Sequence, residues 1–180
     1  MSKQTATTEM AVWIKREFRF DFPVELYPNL RVRVRGTPAR LEELTRDLSK
    51  DLLTRQLDGK WSILENAGHL LHVERLWTVR LDEFLAGAER LTAANYADPR
   101  ANEASGNVRP LEEILSAFRA SRTAFADRLD NLTVDVFARV AHHPRLDRPM
   151  RLVDHLDFIA EHDDHHLARI WELRRQLGPR

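Results

Sequence analysis

The stretch LVDHLDFIAEHDDHHLARIWELRRQL, residues 152–177, reads as one long helix. Its inward seam, taken at alternating steps of four and three, is Leu152, Leu156, Ile159, Asp163, His166, Ile170, Leu173 and Leu177. The polar pair in the middle stands where a core helix places leucine. At about 100° per residue, His166 lies about 30° from the centre of the stripe and His162 about 70° from it, on the flank. Residues four apart are vertical neighbours on a helix, so the two rings can converge on one point where a divalent metal fits. His165 falls about 130° from the stripe centre and is expected to face outward. His155 shares the inner face but stands about 10 Å of helix rise from His162, too far to share one ion; it is expected in the core or behind the ligands. The competing reading makes His162 and His166 core histidines, hydrogen-bonded to each other or to neighbours. A pair four apart with Asp163 inside an otherwise apolar seam favours the metal.

The 180 residues suit one domain covering 1–180. Lysine and arginine number 28, as do aspartate and glutamate, so no basic field exists to hold a phosphate backbone and nucleic acid is not an expected partner. No apolar run approaches the roughly 20 residues needed to cross a bilayer. The amino terminus lacks a charged start followed by an apolar core, so a cytoplasmic protein that avoids membranes is expected. Cysteine is absent, which removes disulfides, thiolate ligands and a cysteine nucleophile. Histidine, carboxylates and water remain as ligands, a set that suits zinc, nickel, iron or manganese.

Along the chain, residues 1–9 are small and polar without periodicity, and residues 1–12 are expected to be flexible. Phe18, Phe20 and Phe22 alternate with Arg19 and Asp21, so that piece packs one side. Arg31 to Arg35 alternates Arg and Val like a strand, but no second strand is evident to pair with it, and irregular or short helical structure is expected. Gly36-Thr37-Pro38 supplies a break, an N-cap and a proline at the first helical position. Leu41, Leu44, Leu48, Leu52 and Leu53 then recur at helical spacing, predicting a first bundle helix that ends near Gly59. A second helix begins at Trp61-Ser62, where Ser62 and Glu65 match a capping box; its apolar face is Ile63, Leu70, Val73, Trp77, Leu81 and Phe84. The capping box accounts for Glu65, although one turn before His69 it also stands where it could orient that ring. His69 sits about 80° from the centre of this face, the flank geometry of His162, whereas His72 points about 60° further away. His69 is therefore the better third ligand. Residues 91–108 carry no period and contain Pro99, predicting a long crossover. Pro110 opens a third helix, with Leu111, Ile114, Leu115, Phe118, Phe125 and Leu129 on one side, ending near Asp130. Residues 131–149 form a second connection, with a short helix around Val134 to Phe137 and a loop pair, His142-His143, expected to be solvated. The last helix starts at or just after Pro149 and stops at Gly178-Pro179. Four helices, two long connections and no convincing sheet predict an all-α, antiparallel four-helix bundle with long crossover connections. A metal site sits inside it if the second and fourth helices are neighbours.

Trp61-Ser62-Ile63-Leu64-Glu65 leading to His69-Leu70, with Glu161-His162-Asp163-Asp164-His165-His166-Leu167 on the final helix, resembles the DinB-like superfamily of DNA-damage-inducible and related bacterial proteins. The likeness runs from Phe20-Asp21-Phe22-Pro23-Val24-Glu25 and Gly36-Thr37-Pro38-Ala39-Arg40 through to the last helix. The resemblance implies an antiparallel four-helix bundle, often a homodimer, with one metal on three histidines; by position in the motif these are His69, His162 and His166. Zinc or nickel is the foremost expectation for the metal. Relatives resemble thiol-dependent enzymes that use mycothiol, bacillithiol or glutathione for transfer or isomerisation, and others are metal-dependent hydrolases. Relatives also read as more helical over Arg31 to Arg35.

Three protein ligands leave positions on an ion open to chemistry. The leading expectation is that a low-molecular-weight thiol cosubstrate, ionised at the metal, attacks a small electrophile. Asp163 would orient a ligating ring or accept a proton. One alternative is hydrolysis, with the metal lowering the pKa of water toward about 7. The other is a non-enzymatic, stress-induced bundle that binds metal or a small molecule.

Overall fold

A computed structural model of the chain describes residues 10, 12–95 and 109–178. The expected loose start at residues 1–9 and most of the predicted crossover, residues 96–108, lie outside them, as does Pro179.

Helix α1 (Tyr27–Arg35) runs straight into α2 (Thr37–Thr45). The expected break at Gly36 is corrected: its φ of −77° is helical, its N–H donates to the Val32 carbonyl at 3.0 Å, and its own carbonyl accepts from the Arg40 N–H at 3.2 Å. The Arg-Val alternation turns out to carry a helical stripe, with Leu30 and Val34 buried and Val32 exposed. The first bundle helix therefore begins at Tyr27. It also ends at Thr45 rather than near Gly59, because Asp47 takes a φ of 60° and the chain restarts as α3 (Lys50–Thr54), capped by Ser49 Oγ accepting from the Leu52 N–H at 3.3 Å.

Helix α4 (Ile63–Ala86) starts at the expected capping box: Ser62 Oγ accepts from the Glu65 N–H at 3.1 Å and Glu65 Oε2 accepts from the Ser62 N–H at 2.6 Å. It ends where Gly87 adopts a φ of 72°, the left-handed closure that favours glycine. Helix α5 (Leu111–Asp130), the short α6 (Val134–Phe137) and α7 (Leu152–Leu177) follow. Between α6 and α7 lies a feature the periodicity does not reveal, a hairpin of β1 (Val140–His143) and β2 (Arg148–Arg151), with Ala141 opposite Met150. Strands of four residues are too short to show alternation, and Asp147 at a φ of 49° makes the turn.

Contacts between helices set their directions. Asn66 meets His166 while Trp77 meets His155, so α4 and α7 run antiparallel. Arg31 meets Leu129 while Glu42 meets Arg119, so α1–α2 and α5 also run antiparallel. Arg33 meets Asp164 while Arg174 meets Glu43, and Glu74 meets Arg122 while Asp82 meets Arg128; hence α1–α2 with α7, and α4 with α5, run parallel. The result is an all-α four-helix bundle in the order up, down, down, up. Because α4 and α5 are successive and parallel, the end of α4 at Ala86 and the start of α5 at Leu111 lie at opposite ends of the bundle.

Every bundle helix passes from one apolar cluster to another through a polar position. Val34, Trp77, Leu81, Phe125, Leu129, Leu156 and Ile159 belong to the first cluster. Leu41, Ile63, Leu70, Ile114, Phe118, Ile170 and Leu173 belong to the second. Between them are the buried Thr37, Glu74, Arg122 and Asp163, with His162 and His166 beside them. Among the described residues no helix is long and apolar enough to cross a membrane.

Candidate metal centre

The capping box sets the phase of α4, which places His69 on its second turn facing the middle of α7. Gln56 Nε2 donates to both oxygens of Glu65 at 3.0 Å, so that carboxylate is consumed by the helix start and does not reach His69. Antiparallel packing then brings His69 to His162 and His166. The Nε2 atoms of His69 and His162 are 3.2 Å apart, and each of the three residues offers a ring nitrogen within 4.8 Å of the others. A zinc–nitrogen bond is about 2.0–2.1 Å, which puts two ligands of a tetrahedral ion roughly 3.3 Å apart. The spacing therefore fits a single cation.

Protonation states fit it too. Burial, with the neighbouring His162 adding to it, drives the pKa of His69 down to about 3. Burial and the rings of His162 and His69 hold His166 well below the ordinary range. Neutral rings present lone pairs at neutral pH. The amide nitrogen of Asn66 donates to the carbonyls of Ser62 at 2.7 Å and Trp61 at 3.3 Å, leaving Oδ1 to accept from His166 Nδ1 at 2.9 Å. That arrangement puts the proton of His166 on Nδ1 and directs the lone pair of Nε2 to the ion position. The Nδ1 atoms of His69 and His162 are buried without a hydrogen-bond partner among the described residues. The donor set suits a divalent cation.

Asp163 is fully buried behind His162. Its Oδ2 accepts from Thr37 Oγ1 at 2.7 Å and from Arg122 Nη1 at 2.5 Å. Arg122 also donates Nη2 to Glu74 Oε1 at 2.6 Å and Nη1 to the Val34 carbonyl at 3.0 Å. Burial alone raises a carboxyl, but the Arg122 charge outweighs it and holds Asp163 down at about 2. For Glu74 burial prevails, and its pKa is raised despite the same guanidinium. Asp163 Oδ1 stands 3.9 Å from His162 Nδ1, within ion-pair reach but beyond a hydrogen bond.

Three tryptophans surround the triad. The Trp61 ring is 4.9 Å from His69 and 6.0 Å from His166, centroid to centroid, and Trp13 and Trp77 lie 5.2 Å and 5.6 Å from His162. They line a cavity of about 670 Å³ whose wall includes all three histidines and extends to Arg80, His143 and Arg145. The outward placement of His165 is corrected: it is half-buried, lines this cavity and lies 5.8 Å from the ring of Trp13, because the segment before α1 folds over that side of α7. His72 lines the cavity as well. His143 is also corrected from solvated to buried, since β1 turns its ring toward Phe158 at 4.9 Å, while His142 pairs with Asp147 at 2.9 Å. His155 is a core residue, enclosed by Trp77, Phe84 and Phe158.

Asn66, Arg122, Glu74 and the tryptophan wall escaped the sequence reading. One signal was available: Arg122 interrupts the seam Phe118, Phe125, Leu129 of α5, and Glu74 interrupts Leu70, Trp77, Leu81 of α4, as Asp163 does in α7.

A model of the DinB superfamily matches residues 33–170. Among solved structures, YfiT from Bacillus subtilis, described as a probable metal-dependent hydrolase with an unusual four-helix bundle topology, matches with a TM-score of 0.79 at 20% identity, covering 91% of this chain and 94% of that one. At that identity the likeness speaks for the fold. No curated protein matches the chain.

Proposed function

Because the chain belongs to the DinB superfamily, we propose that it is a metal-dependent enzyme that holds one divalent ion, zinc or nickel ahead of iron or manganese, on His69, His162 and His166 and acts on a small molecule in the adjoining cavity. When bound, the ion supplies a Lewis-acid centre that lowers the pKa of a thiol or water admitted to its open positions. The observation that carries this is the 3.2 Å approach of His69 and His162 with His166 held by Asn66.

The side chains divide the remaining work. Asn66 fixes the ring of His166. Asp163 acts through His162: its charge faces the Nδ1 edge of that ring, and a carboxyl held at about 2 and engaged by Thr37 and Arg122 is too weak a base to take a substrate proton. Trp13, Trp61 and Trp77 pack their rings beside the triad and give the adjoining cavity an aromatic wall.

A low-molecular-weight thiol is the cosubstrate this reading favours. The cavity is walled by aromatic rings and guanidinium groups, which suit a thiolate, and the chain has no cysteine of its own, so the sulfur comes from outside. Hydrolysis is the second reading, favoured by the description of YfiT. The test begins with elemental analysis of tag-free protein: one metal per chain is expected, and near none in His166→Ala. The metal-loaded protein is then offered a chlorinated aromatic or epoxide with mycothiol, bacillithiol or glutathione, and an ester and amide panel without thiol. Turnover that requires thiol supports transfer; ester cleavage without thiol replaces it with hydrolysis; metal without either activity leaves a binding protein.

A further inference from the structure

The chain ahead of α1 lies along the face of α7 that carries His162, His165 and Phe158, and it is fastened there through side chains. Arg145, Arg148 and Arg151, three residues apart in the hairpin turn and β2, each reach it with a guanidinium nitrogen. Arg151 Nη2 donates to the Phe22 carbonyl at 2.9 Å and to that of Phe20 at 3.4 Å. Arg148 Nη1 donates to the Phe18 carbonyl at 3.2 Å, and Arg145 Nη1 to the Trp13 carbonyl at 3.4 Å. The same guanidiniums lie over its rings, Arg151 Cζ 5.6 Å from the Phe22 centroid, Arg148 Cζ 5.3 Å from Phe20 and Arg145 Cζ 5.2 Å from Trp13. Among the described residues, the main chain of residues 12–22 bonds only to itself: the Lys15 N–H donates to the Val12 carbonyl at 3.0 Å and the Arg16 N–H to the Trp13 carbonyl at 3.1 Å.

The two ends of this strap are held unequally. Phe18 is buried in the first apolar cluster, 5.1 Å from Phe158 and stacked on Phe20. At the other end Val12, Ile14, Lys15, Arg16 and Glu17 are exposed, and Trp13 turns inward, its ring 5.2 Å from His162, 5.3 Å from Phe158 and 5.8 Å from His165. Besides these ring contacts and the bond from Arg145, that end is tied to α7 by the ion pair of Arg16 with Glu161, whose side chains are 38% and 20% exposed. A partly exposed pair is weak and screened by salt. Segments with few main-chain bonds and exposed contacts open readily while their anchored neighbours stay folded. We propose that residues 13–17 form a flap that swings about Glu17 while Phe18 to Phe22 stay seated, and that lifting Trp13 admits ligands to the His162 side of the triad. This rests on the reading of the triad as a binding centre and adds how that centre is reached.

The test treats metal-free protein with diethyl pyrocarbonate, which acylates neutral imidazole, and reads the rate at each histidine by peptide mass spectrometry. His162 and His165 are expected to react about threefold faster in Arg16→Ala than in the wild type, the share of a partly exposed ion pair. Glu161 keeps Arg33 as its partner in that variant, so no carboxylate is stranded. Trp13→Ala, which removes the ring itself, is expected to give a larger rise. His142, on the hairpin that the flap leaves in place, is the internal control and is expected to keep its rate. Added salt is expected to speed His162 and His165 in the wild type as well, which decides the matter should a variant not fold. Unchanged rates at His162 and His165 in either folded variant, an equal rise at His142, or salt-independent rates in the wild type each overturn the proposal. The measurement needs no metal, so it reads access to the triad whether or not the rings prove to hold an ion.

Discussion

Two polar clusters lie at the same level of the bundle, on either side of His162, and they satisfy their atoms differently. In the cluster of Thr37, Glu74, Arg122 and Asp163, every nitrogen of Arg122 has an acceptor and both carboxylates face its charge. In the triad, the rings are held in place by neighbours, yet the Nε2 atoms of His69 and His162 have chiefly each other, and their Nδ1 atoms have no partner among the described residues. Buried polar groups are nearly always paired, so a closed network is what a fold keeps for itself and a converging, unconsumed donor set is what it keeps for a ligand. The two clusters should accordingly fail in different ways when disturbed.

Arg122→Met is expected to do the greatest damage. It leaves Asp163 and Glu74 buried without their counter-charge, at a cost of about 3–5 kcal/mol in the unfolding free energy of metal-free protein. Urea unfolding measures it, and a loss below about 1 kcal/mol would erase the contrast, since losses of that size accompany ordinary surface changes. Metal addition probes the other cluster. A thousandfold excess over Kd is expected to raise the unfolding free energy of the wild type by about 4 kcal/mol and to leave His166→Ala where it was. If metal stabilises both proteins equally, it binds elsewhere.

Asn66 links the triad to the α4 start. Asn66→Ala is expected to weaken metal affinity by about 10–100-fold, and Asn66→Asp, which keeps an acceptor for His166 Nδ1, to restore most of it. Competition with a colorimetric chelator reads the difference, and an aspartate variant no better than alanine would show that the residue matters only for the helix cap. A further contrast lies in pH dependence. His143, at about 3 when folded against an ordinary 6.5, stays neutral in the folded chain while the unfolded chain takes up a proton. Its contribution is therefore complete above pH 6.5 and lost as pH falls toward 3. Asp163, at about 2 against 3.8, contributes above pH 3.8 and loses that contribution as pH falls toward 2. The metal-free protein should thus lose stability in two successive windows, and His143→Gln should lessen the upper loss, to which His69, His155 and His166 also contribute, without moving the lower one.

Much of the triad was legible in the chain. Helical periodicity is a local property, so the seam of residues 152–177 showed that His166 and Asp163 interrupt a core stripe, and the flank positions of His69 and His162 could be read before any contact was known. The capping box was legible for the same reason: its hydrogen bonds join residues three apart. The misreadings share an opposite cause. Gly36 was expected to break a helix because glycine permits a break, yet nothing local says whether the stripe before it has a core to meet; α1 does, against α7 and α5. His143 looked solvated because a four-residue strand carries too little pattern to show which way it faces.

By itself, the chain determined where the second, third and last bundle helices fall, that the last carries polar residues in its buried seam, and which three histidines have the phase to meet. Only the tertiary structure decided that α4 lies beside α7, that Arg122 answers Asp163 rather than leaving it to the triad, that Asn66 locks one ring, and that tryptophans from three separate segments wall the cavity. The reason is physical. Side-chain phase follows from backbone geometry within a few residues, whereas pairing of buried charges and enclosure of a cavity depend on which surfaces meet after the long connections have closed, and those distances are not written in any local period.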